Sequence, residues 1–396
     1  MTPKDAHENL QRVLHPMPLD GFLDGVLGRR FIKIPADAQN HRAELLGSDP
    51  ERIILAAFGD IAPHIAFHAV EPRGPAPSVG SVASAQAFEA KVAAFHALGY
   101  TVRLPQPRWL SPALEAFLRA LEFMLHTPAK AEAFWSRGDA KAPVHHDDFD
   151  IIVIQLKGHK RWFIGSDPPD LPNAWTSVLR PHTILGKHDV VEVGPGDLLY
   201  LPRGTPHRVD ALTDSLHLSI SFTPLTLREA IIAALDHLSD LDRPFRQTVG
   251  QRLAQSTRSG DFGALSGEVR EGVARLLTLC QSEGFVAEAL QLRSARAISN
   301  LNALSHQQDQ PAISRNSLVR QAPMAMCHLV ASEDMLEFSY PGGRIYIHKG
   351  AEASVRFIAN TFEFKIGDIP GDIGDDVRLA LANRFLDCGF LYVVRQ

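Results

Sequence analysis

Cysteine is scarce in this chain. Cys280, Cys327 and Cys388 are odd in number, far apart and free of any C-x-x-C pairing, which argues against a cysteine-held zinc or dithiol redox site and fits a reducing cytoplasm. Long apolar runs are missing too. Nowhere do about 18 apolar residues follow one another as a membrane span requires, and the opening MTPKDAHENLQRVLHPMP has no apolar stretch of signal-peptide length. Neither secretion nor membrane insertion is expected. A basic excess is also absent: the formal net charge is −5, which weighs against a sequence-independent nucleic-acid binder because neutralising phosphates needs a basic face.

What remains is an ordinary globular composition, with 45% hydrophobic and 21% charged residues over 396 positions, enough for two or three folding units without covalent staples. Residues 1–50 read as short helices and a strand, RRFIKIP, that form an N-terminal cap on the neighbouring domain. The Pro-, Gly- and Ser-rich run from Glu71 to Ser84 can sustain neither helix nor central strand and is expected to be a loop. Helical periodicity governs Ala85–Leu98 and Pro112–His126, the second opened by Ser111 and Pro112. From Ala133 to Phe222 the pattern changes to short apolar runs punctuated by turns, IIVIQL, RWFIG, VVEVG, LLYLP and LHLSISF, the signature of a β-barrel or sandwich. Residues 51–224 therefore read as one β-rich domain.

After Pro224 the helical period returns. It starts at the capping box Thr226 to Glu229 and continues through Leu265–Gln281 and Phe285–Leu304, whose apolar positions lie on more than one side. Such helices can pack on each other or on a second subunit, so residues 225–310 read as a helical segment compatible with dimerisation. The polar stretch His306–Ser317 reads as a linker. Beyond it, MLEFSYPGGRIYIHK predicts a hairpin, with a helix from about Asp375 to Leu386 and a last strand FLYVV. Helices plus one hairpin in 311–396 resemble a winged helix, although basic residues are sparse on its presumed recognition helix.

The chemistry concentrates in HHDDFDIIVIQL, which begins at His145. Two histidines and a carboxylate form the facial triad that leaves open positions on a non-haem iron, and a His-x-Asp spacing on a strand aims both side chains at one metal. The motif is doubled, since His145 with Asp147 and His146 with Asp148 both satisfy the spacing on opposite strand faces. A third ligand is available in PGDLLYLPRGTPHRVDA, whose Pro-x-Gly-x-Pro turn delivers His207 at a strand end. Lys160, opening KRWFIG after the turn LKGHK, supplies a cation that could meet a carboxylate inside an apolar pocket.

HHDDFDIIVIQLKGHKRWFIG, followed by PGDLLYLPRGTPHRVDA and SLHLSISF, resembles the ribosomal-oxygenase branch of the JmjC family, and the order of segments extends the resemblance over nearly the whole chain. That resemblance implies an α+β protein built on a double-stranded β-helix, the jelly roll of JmjC and cupin domains, with a helical dimerisation segment and a winged-helix-like C-terminal domain. It implies an Fe(II)- and 2-oxoglutarate-dependent dioxygenase that hydroxylates a protein side chain, a histidine or arginine of a ribosomal protein. It places iron on His145, Asp147 and His207, which selects the first of the two pairs. Lys160 falls on the residue that holds the distal carboxylate of 2-oxoglutarate, and Ser219 and Ser136 fall on hydroxyl positions near that cosubstrate.

Other readings share parts of this pattern. A hydroxylase of another protein or of a peptide natural product, an N-methyl-lysine demethylase, a sugar-binding or isomerase cupin, and a winged-helix DNA-binding module each fit some segments. The loop WSRGDAKAPV before His145 is less glycine-rich than the resemblance leads one to expect, and it bears on the substrate entrance. Asp150, Gln155 and Trp162 read as structural, as do His64, His68, His217 and His328, with His217 on the same strand face as Ser219.

Overall fold

The computed structural model describes residues 3–38, 42–105, 107–169, 171–172, 184–303, 312–323 and 325–394. The chain divides into two compact units, Met1–Pro224 and Leu225–Gln396.

In the first unit the helices are α1 (Pro3–Leu14), α2 (Leu19–Gly25), α3 (Pro50–Ala56), α4 (Phe58–Ile61), α5 (Ala85–Ala97) and α6 (Pro112–Leu125). The strands are β1 (Ile32–Ile34), β2 (Ala66–His68), β3 (Thr101–Pro105), β4 (Lys130–Ser136), β5 (Lys141–His145), β6 (Asp150–Lys157), β7 (Lys160–Gly165), β8 (His188–Val193), β9 (Leu198–Leu201), β10 (His207–Ala211) and β11 (Ser215–Phe222). They pair antiparallel into a seven-stranded sheet, β1-β9-β6-β11-β4-β3-β2, and a four-stranded sheet, β5-β10-β7-β8. Two facing antiparallel sheets of this order form the double-stranded β-helix.

Alternation along the strands determines what each face meets. On the larger sheet Ile152, Ile154, Leu198, Tyr200, Leu216, Leu218 and Ile220 lie under helices α1, α2, α5 and α6 in one continuous apolar core. The residues between them, Ile151, Val153, Leu199 and Leu201, face the smaller sheet and meet Trp162, Ile164, Val193 and Val209. Strand β6 is therefore buried on both faces, which is why its sequence is a continuous apolar run and not an alternation. The β-rich region begins at Lys130, and β2 and β3 precede it where sequence periodicity showed no strand. Each is at most five residues long, too short for an alternation to stand out.

The turn between β6 and β7 sets the position of Lys160. Gly158 has φ +66°, a left-handed conformation, and a Cβ there would run into the Asp214 carbonyl oxygen. Gln155 Nε2 donates to the carbonyls of Lys157 and Gly158 at 2.8 and 3.2 Å, tightening the same turn from inside.

In the second unit, the capping box at Thr226 and Glu229 opens α7 (Leu227–Leu241). It is followed by α8 (Gly250–Ser259), which the sequence reading did not separate, α9 (Gly263–Cys280) and α10 (Glu283–Ser299). Half of the linker expected at His306–Ser317, residues 306–311, lies outside the described residues. Strands β12 (Leu318–Gln321), β13 (His328–Ala331), β14 (Met335–Tyr340), β15 (Gly343–His348), β16 (Glu363–Lys365) and β17 (Leu391–Val393) form two three-stranded sheets, β16-β12-β17 and β13-β14-β15, with α11 (Glu352–Asn360) and α12 (Asp375–Asp387). The expected hairpin is β14–β15, and β13 extends it.

Gly158→Ala combines positive-φ strain with a backbone clash, and it is expected to destabilise the first unit by about 2 kcal/mol or more. Urea unfolding of the two proteins, monitored by tryptophan fluorescence, measures the difference.

Candidate metal centre and its cavity

Strand β5 ends at His145, and Asp147 lies in the loop that leads to β6. The doubled His-x-Asp motif therefore does not run as one strand with two alternating faces, as the spacing suggested. The chain leaves the sheet after His145 and turns Asp147 back beneath it, while His146 and Asp148 meet one another at 3.9 Å and do not line the cavity between the two sheets. His207 opens β10, the strand next to β5, and His145 and His207 are Cα partners in that pairing. The third candidate ligand thus comes from a neighbouring strand and not from across the barrel.

The pairing brings the two imidazoles to 4.2 Å between ring centroids, and His207 Nε2 lies 3.9 Å from Asp147 Oδ2. One ligand atom from each of His145, Asp147 and His207 falls within 4.8 Å of the others. The Nδ1 of His145 is 2.8 Å from the Pro143 carbonyl, and that of His207 is 3.0 Å from the Thr205 carbonyl. A carbonyl accepts only, so both rings donate from Nδ1, which leaves Nε2 as the nitrogen turned toward a metal. Burial pushes the His207 imidazole down to about 3, which keeps it neutral, and burial also raises Asp147 above the usual carboxylate range. Two imidazole nitrogens and a desolvated carboxylate are a donor set that a divalent cation completes.

Asp150 holds the two ligand-bearing loops together. Its fully buried carboxylate accepts from the Tyr200 hydroxyl and from the Arg203 backbone N–H at 3.2 Å. Gly204 N–H donates to the Asp147 carbonyl at 2.8 Å, which ties the Pro202–Pro206 turn to the metal loop. Tyr200 in turn accepts the Gly28 N–H at 2.6 Å, so the N-terminal segment is fastened to the same network. The structural role read for Asp150 from the sequence is thus the alignment of Asp147 with His207.

The three candidate ligands open onto this cavity, which measures about 310 Å³. Lys160, at 3% exposure, projects into its floor and donates to Ser136 Oγ at 2.9 Å, and Ser136 meets Thr101 Oγ1 at 3.0 Å. Among the described residues no carboxylate pairs with Lys160, and burial pushes its ammonium down to about 7. Ser136 and Lys160 are thus brought into contact, while Ser219 lines the same cavity from β11 with no hydrogen bond to Lys160 among the described residues. His217 lines the cavity too, as its strand face implies.

Several lining residues were not singled out from the sequence. Thr101, Arg103, Glu132, Phe134 and Phe149 all contribute, and they are joined by His68, which the sequence reading took as structural. The i, i+2 spacing of Glu132, Phe134 and Ser136 on β4 is a signal that alternation alone could have found. His68, Thr101 and Arg103 sit on the two short strands that periodicity could not detect, and burial, then Lys160, lowers the His68 imidazole to about 4.

Residues 112–230 match the family model described as JmjC domain. Ribosomal oxygenase 2 of Rattus norvegicus is 33% identical over 127 residues, which are 31% of this chain and 27% of that protein. The bifunctional lysine-specific demethylase and histidyl-hydroxylase NO66 of Drosophila simulans is 29% identical over 220 residues, 50% of this chain and 25% of that protein. The chain thus spans about a quarter of the length of these curated relatives. Among solved structures, Escherichia coli YcfD superposes with a TM-score of 0.56 at 15% identity, over 96% of this chain and 98% of that one. A second structure of YcfD, described as a ribosomal oxygenase in complex with cobalt and 2-oxoglutarate, gives a TM-score of 0.54, also at 15% identity. At such identity the superposition speaks to the fold, which it shares along nearly its whole length. The β-rich core of this chain is thus similar to the JmjC domain over residues 112–230, and part of it is similar in sequence to proteins named ribosomal oxygenases.

Proposed function

We propose that the chain is an Fe(II)- and 2-oxoglutarate-dependent dioxygenase that hydroxylates a protein side chain, with a histidine or arginine of a ribosomal protein as its target. The observation that carries this reading is the convergence of His145, Asp147 and His207 at a cavity whose floor holds a buried Lys160 with no carboxylate partner among the described residues. A sugar-binding or isomerase cupin has no need of such a cation. The names of the relatives, ribosomal oxygenase and histidyl-hydroxylase, support the choice of a protein substrate.

In this reading His145, Asp147 and His207 hold the metal, and Lys160, with Ser136 and Ser219, holds the oxoacid. Iron held there supplies dioxygen activation coupled to decarboxylation of the oxoacid to succinate, with one oxygen atom delivered to a substrate C–H bond. The residues of the chain do the rest. The Nδ1 hydrogen bonds fix ring orientation, Asp150 sets the distance between the ligand loops, and the apolar walls Ile151, Trp162 and Val209 keep bulk water from the metal.

The same reading takes residues 1–50 as a cap, 51–224 as the catalytic domain, 225–310 as a dimerisation segment and 311–396 as a winged-helix-like domain. Val269, Val273 and Leu277 repeat every fourth residue on α9 at 59%, 60% and 65% exposure, an apolar stripe that a second copy of the chain would cover. A cytoplasmic location agrees with three free cysteines. No helix among the described residues is long and apolar enough to cross a membrane.

Anaerobically iron-loaded protein given 2-oxoglutarate and air should form succinate, and His145→Ala or Asp147→Ala should reduce the rate by about 100-fold, the loss typical of an essential catalytic group. Absence of turnover, together with absence of the metal-to-oxoglutarate charge-transfer band, rejects the assignment. Mass spectrometry of ribosomal proteins from cells with and without the gene should show one added oxygen on the target. Formaldehyde release would mark demethylation instead.

Oxoacid binding should depend on pH through Lys160. A dianion raises the ammonium pKa in the complex from its free value of about 7. Affinity is therefore flat below pH 7 and falls about tenfold per pH unit above it, until the pKa of the complex is reached. Calorimetry in buffers of different ionisation enthalpy should detect the accompanying proton uptake.

Val273→Glu, which places a charge in the α9 stripe, should convert a dimer to a monomer in light scattering. The oxoacid affinity should stay unchanged.

A further inference from the structure

The larger sheet has a polar cluster on the face turned away from the cavity. On β9, Leu201 faces the smaller sheet while Tyr200 points the other way, into the core under the helices, and the Asp150 carboxylate joins it there. Both side chains are fully buried, and neither is among the residues that line the cavity. The Tyr200 ring meets Phe22 of α2 edge-on, 5.0 Å between centroids, and its hydroxyl accepts from Gly28 and donates to Asp150. Arg203, whose backbone N–H donates to the same carboxylate, also brings its Nη1 within 3.7 Å of it and donates from Nε to the Pro172 carbonyl at 3.1 Å. The turn after α2, the loop that carries Asp147, the turn that delivers His207 and the connection from β7 to β8 are therefore joined at one carboxylate.

Packing does not call for this arrangement. A phenylalanine at position 200 would keep the edge-on contact with Phe22, and a leucine at position 150 would continue the apolar face of Ile152 and Ile154. A carboxylate in that place is costly unless donors surround it. What the polar pair adds is direction. The Tyr200 hydroxyl fixes Asp150 from one side and Arg203 from the other, and the turn that contains Arg203 sends the Gly204 N–H to the Asp147 carbonyl. At the N-terminal end, Gly28 has φ +67° and turns the chain between α2 and β1, and β1 then pairs with β9 so that Ile32 lies opposite Tyr200. The hydroxyl thus stands in line between the N-terminal segment and the two loops that hold the candidate ligands.

We infer that Tyr200 is a positioning residue for the candidate metal centre and that, through its hydroxyl, metal occupancy and the order of the N-terminal segment are coupled. The inference rests on the reading of His145, Asp147 and His207 as metal ligands and extends it to a residue on the far face of the sheet. Coupling between two sites is reciprocal. If loss of the Tyr200 link weakens metal binding by some factor, bound metal holds the link closed by the same factor. The Gly28 amide reports the second half of that cycle, because it donates to the hydroxyl and exchanges its hydrogen with solvent only when that bond opens.

The test is titration of the full chain with Mn(II), with the free ion measured by electron paramagnetic resonance, together with hydrogen exchange of residues 19–31 followed by mass spectrometry with and without the metal. Tyr200→Phe should bind Mn(II) about tenfold more weakly, the lower end of the loss expected when a group that orients metal ligands from behind is removed. Ile152→Val, a packing change opposite Tyr200 in the same core, should lower the urea midpoint yet bind Mn(II) within about twofold of wild type. In the wild type, Mn(II) should slow exchange of residues 19–31 about tenfold more than exchange of α5, which packs in the same core without joining the network. In Tyr200→Phe that difference should vanish. Wild-type Mn(II) affinity in Tyr200→Phe, or an equal loss in Ile152→Val, overturns the inference and leaves the metal reading standing. Equal slowing of α5 and of residues 19–31 in the wild type overturns it too. No Mn(II) binding by the wild type, or binding unchanged in His207→Ala, brings down the metal reading and this inference with it.

Discussion

The candidate site depends on one antiparallel pairing, that of β5 with β10. Because His145 and His207 are Cα partners there, a shift of one residue in register would send one imidazole to the outer face and separate the pair. Each strand is five residues long, so the ladder alone specifies register weakly. The specification comes from β7, which pairs with β10 from Ala211 to His207, and from the Gly204–Asp147 backbone bond beyond the strand ends. The geometry of the candidate site is in this sense a property of the smaller sheet as a whole.

The larger sheet has a different task. Its outer face is anchored under α1, α2, α5 and α6, and its inner face at β4 and β11 presents Ser136, Phe134, His217 and Ser219 toward the cavity. An apolar core behind and polar side chains in front give a stiff wall on which few groups can move independently. Lys160 illustrates the result. Its ammonium is desolvated and held by one hydroxyl, an arrangement with no stabilising value by itself that becomes useful when an anion enters.

Much of this was legible in the sequence, and the physical reason differs from residue to residue. The runs IIVIQL and LHLSISF announce buried strands because burial on both faces, or on one, leaves a direct mark in composition. Thr226 and Glu229 mark the start of α7 because a capping box needs those two side chains at that spacing. The choice of Asp147 over Asp148 could not be read this way, since it depends on where β5 stops, and no local signal separates the last strand residue from the first loop residue. Thr101 and Arg103 were invisible, and His68 was read as structural, because their strands are short and their place in the cavity is fixed by partners far along the chain. Helix α8 escaped notice for another reason, since its mean composition is polar and only one of its residues is buried.

The hydrogen bonds from the two imidazole Nδ1 atoms to the carbonyls of Pro143 and Thr205 have a consequence for how the centre fills. Each ring spans only two residues to its acceptor, so the backbone that positions the histidine also selects its tautomer. A cation arriving at such a pair would find both rings already oriented by the backbone, with little rotamer freedom left to lose. The entropy of capture is then dominated by water leaving the ion and the Asp147 carboxylate, and the protein enters the encounter with its coordination sphere half assembled.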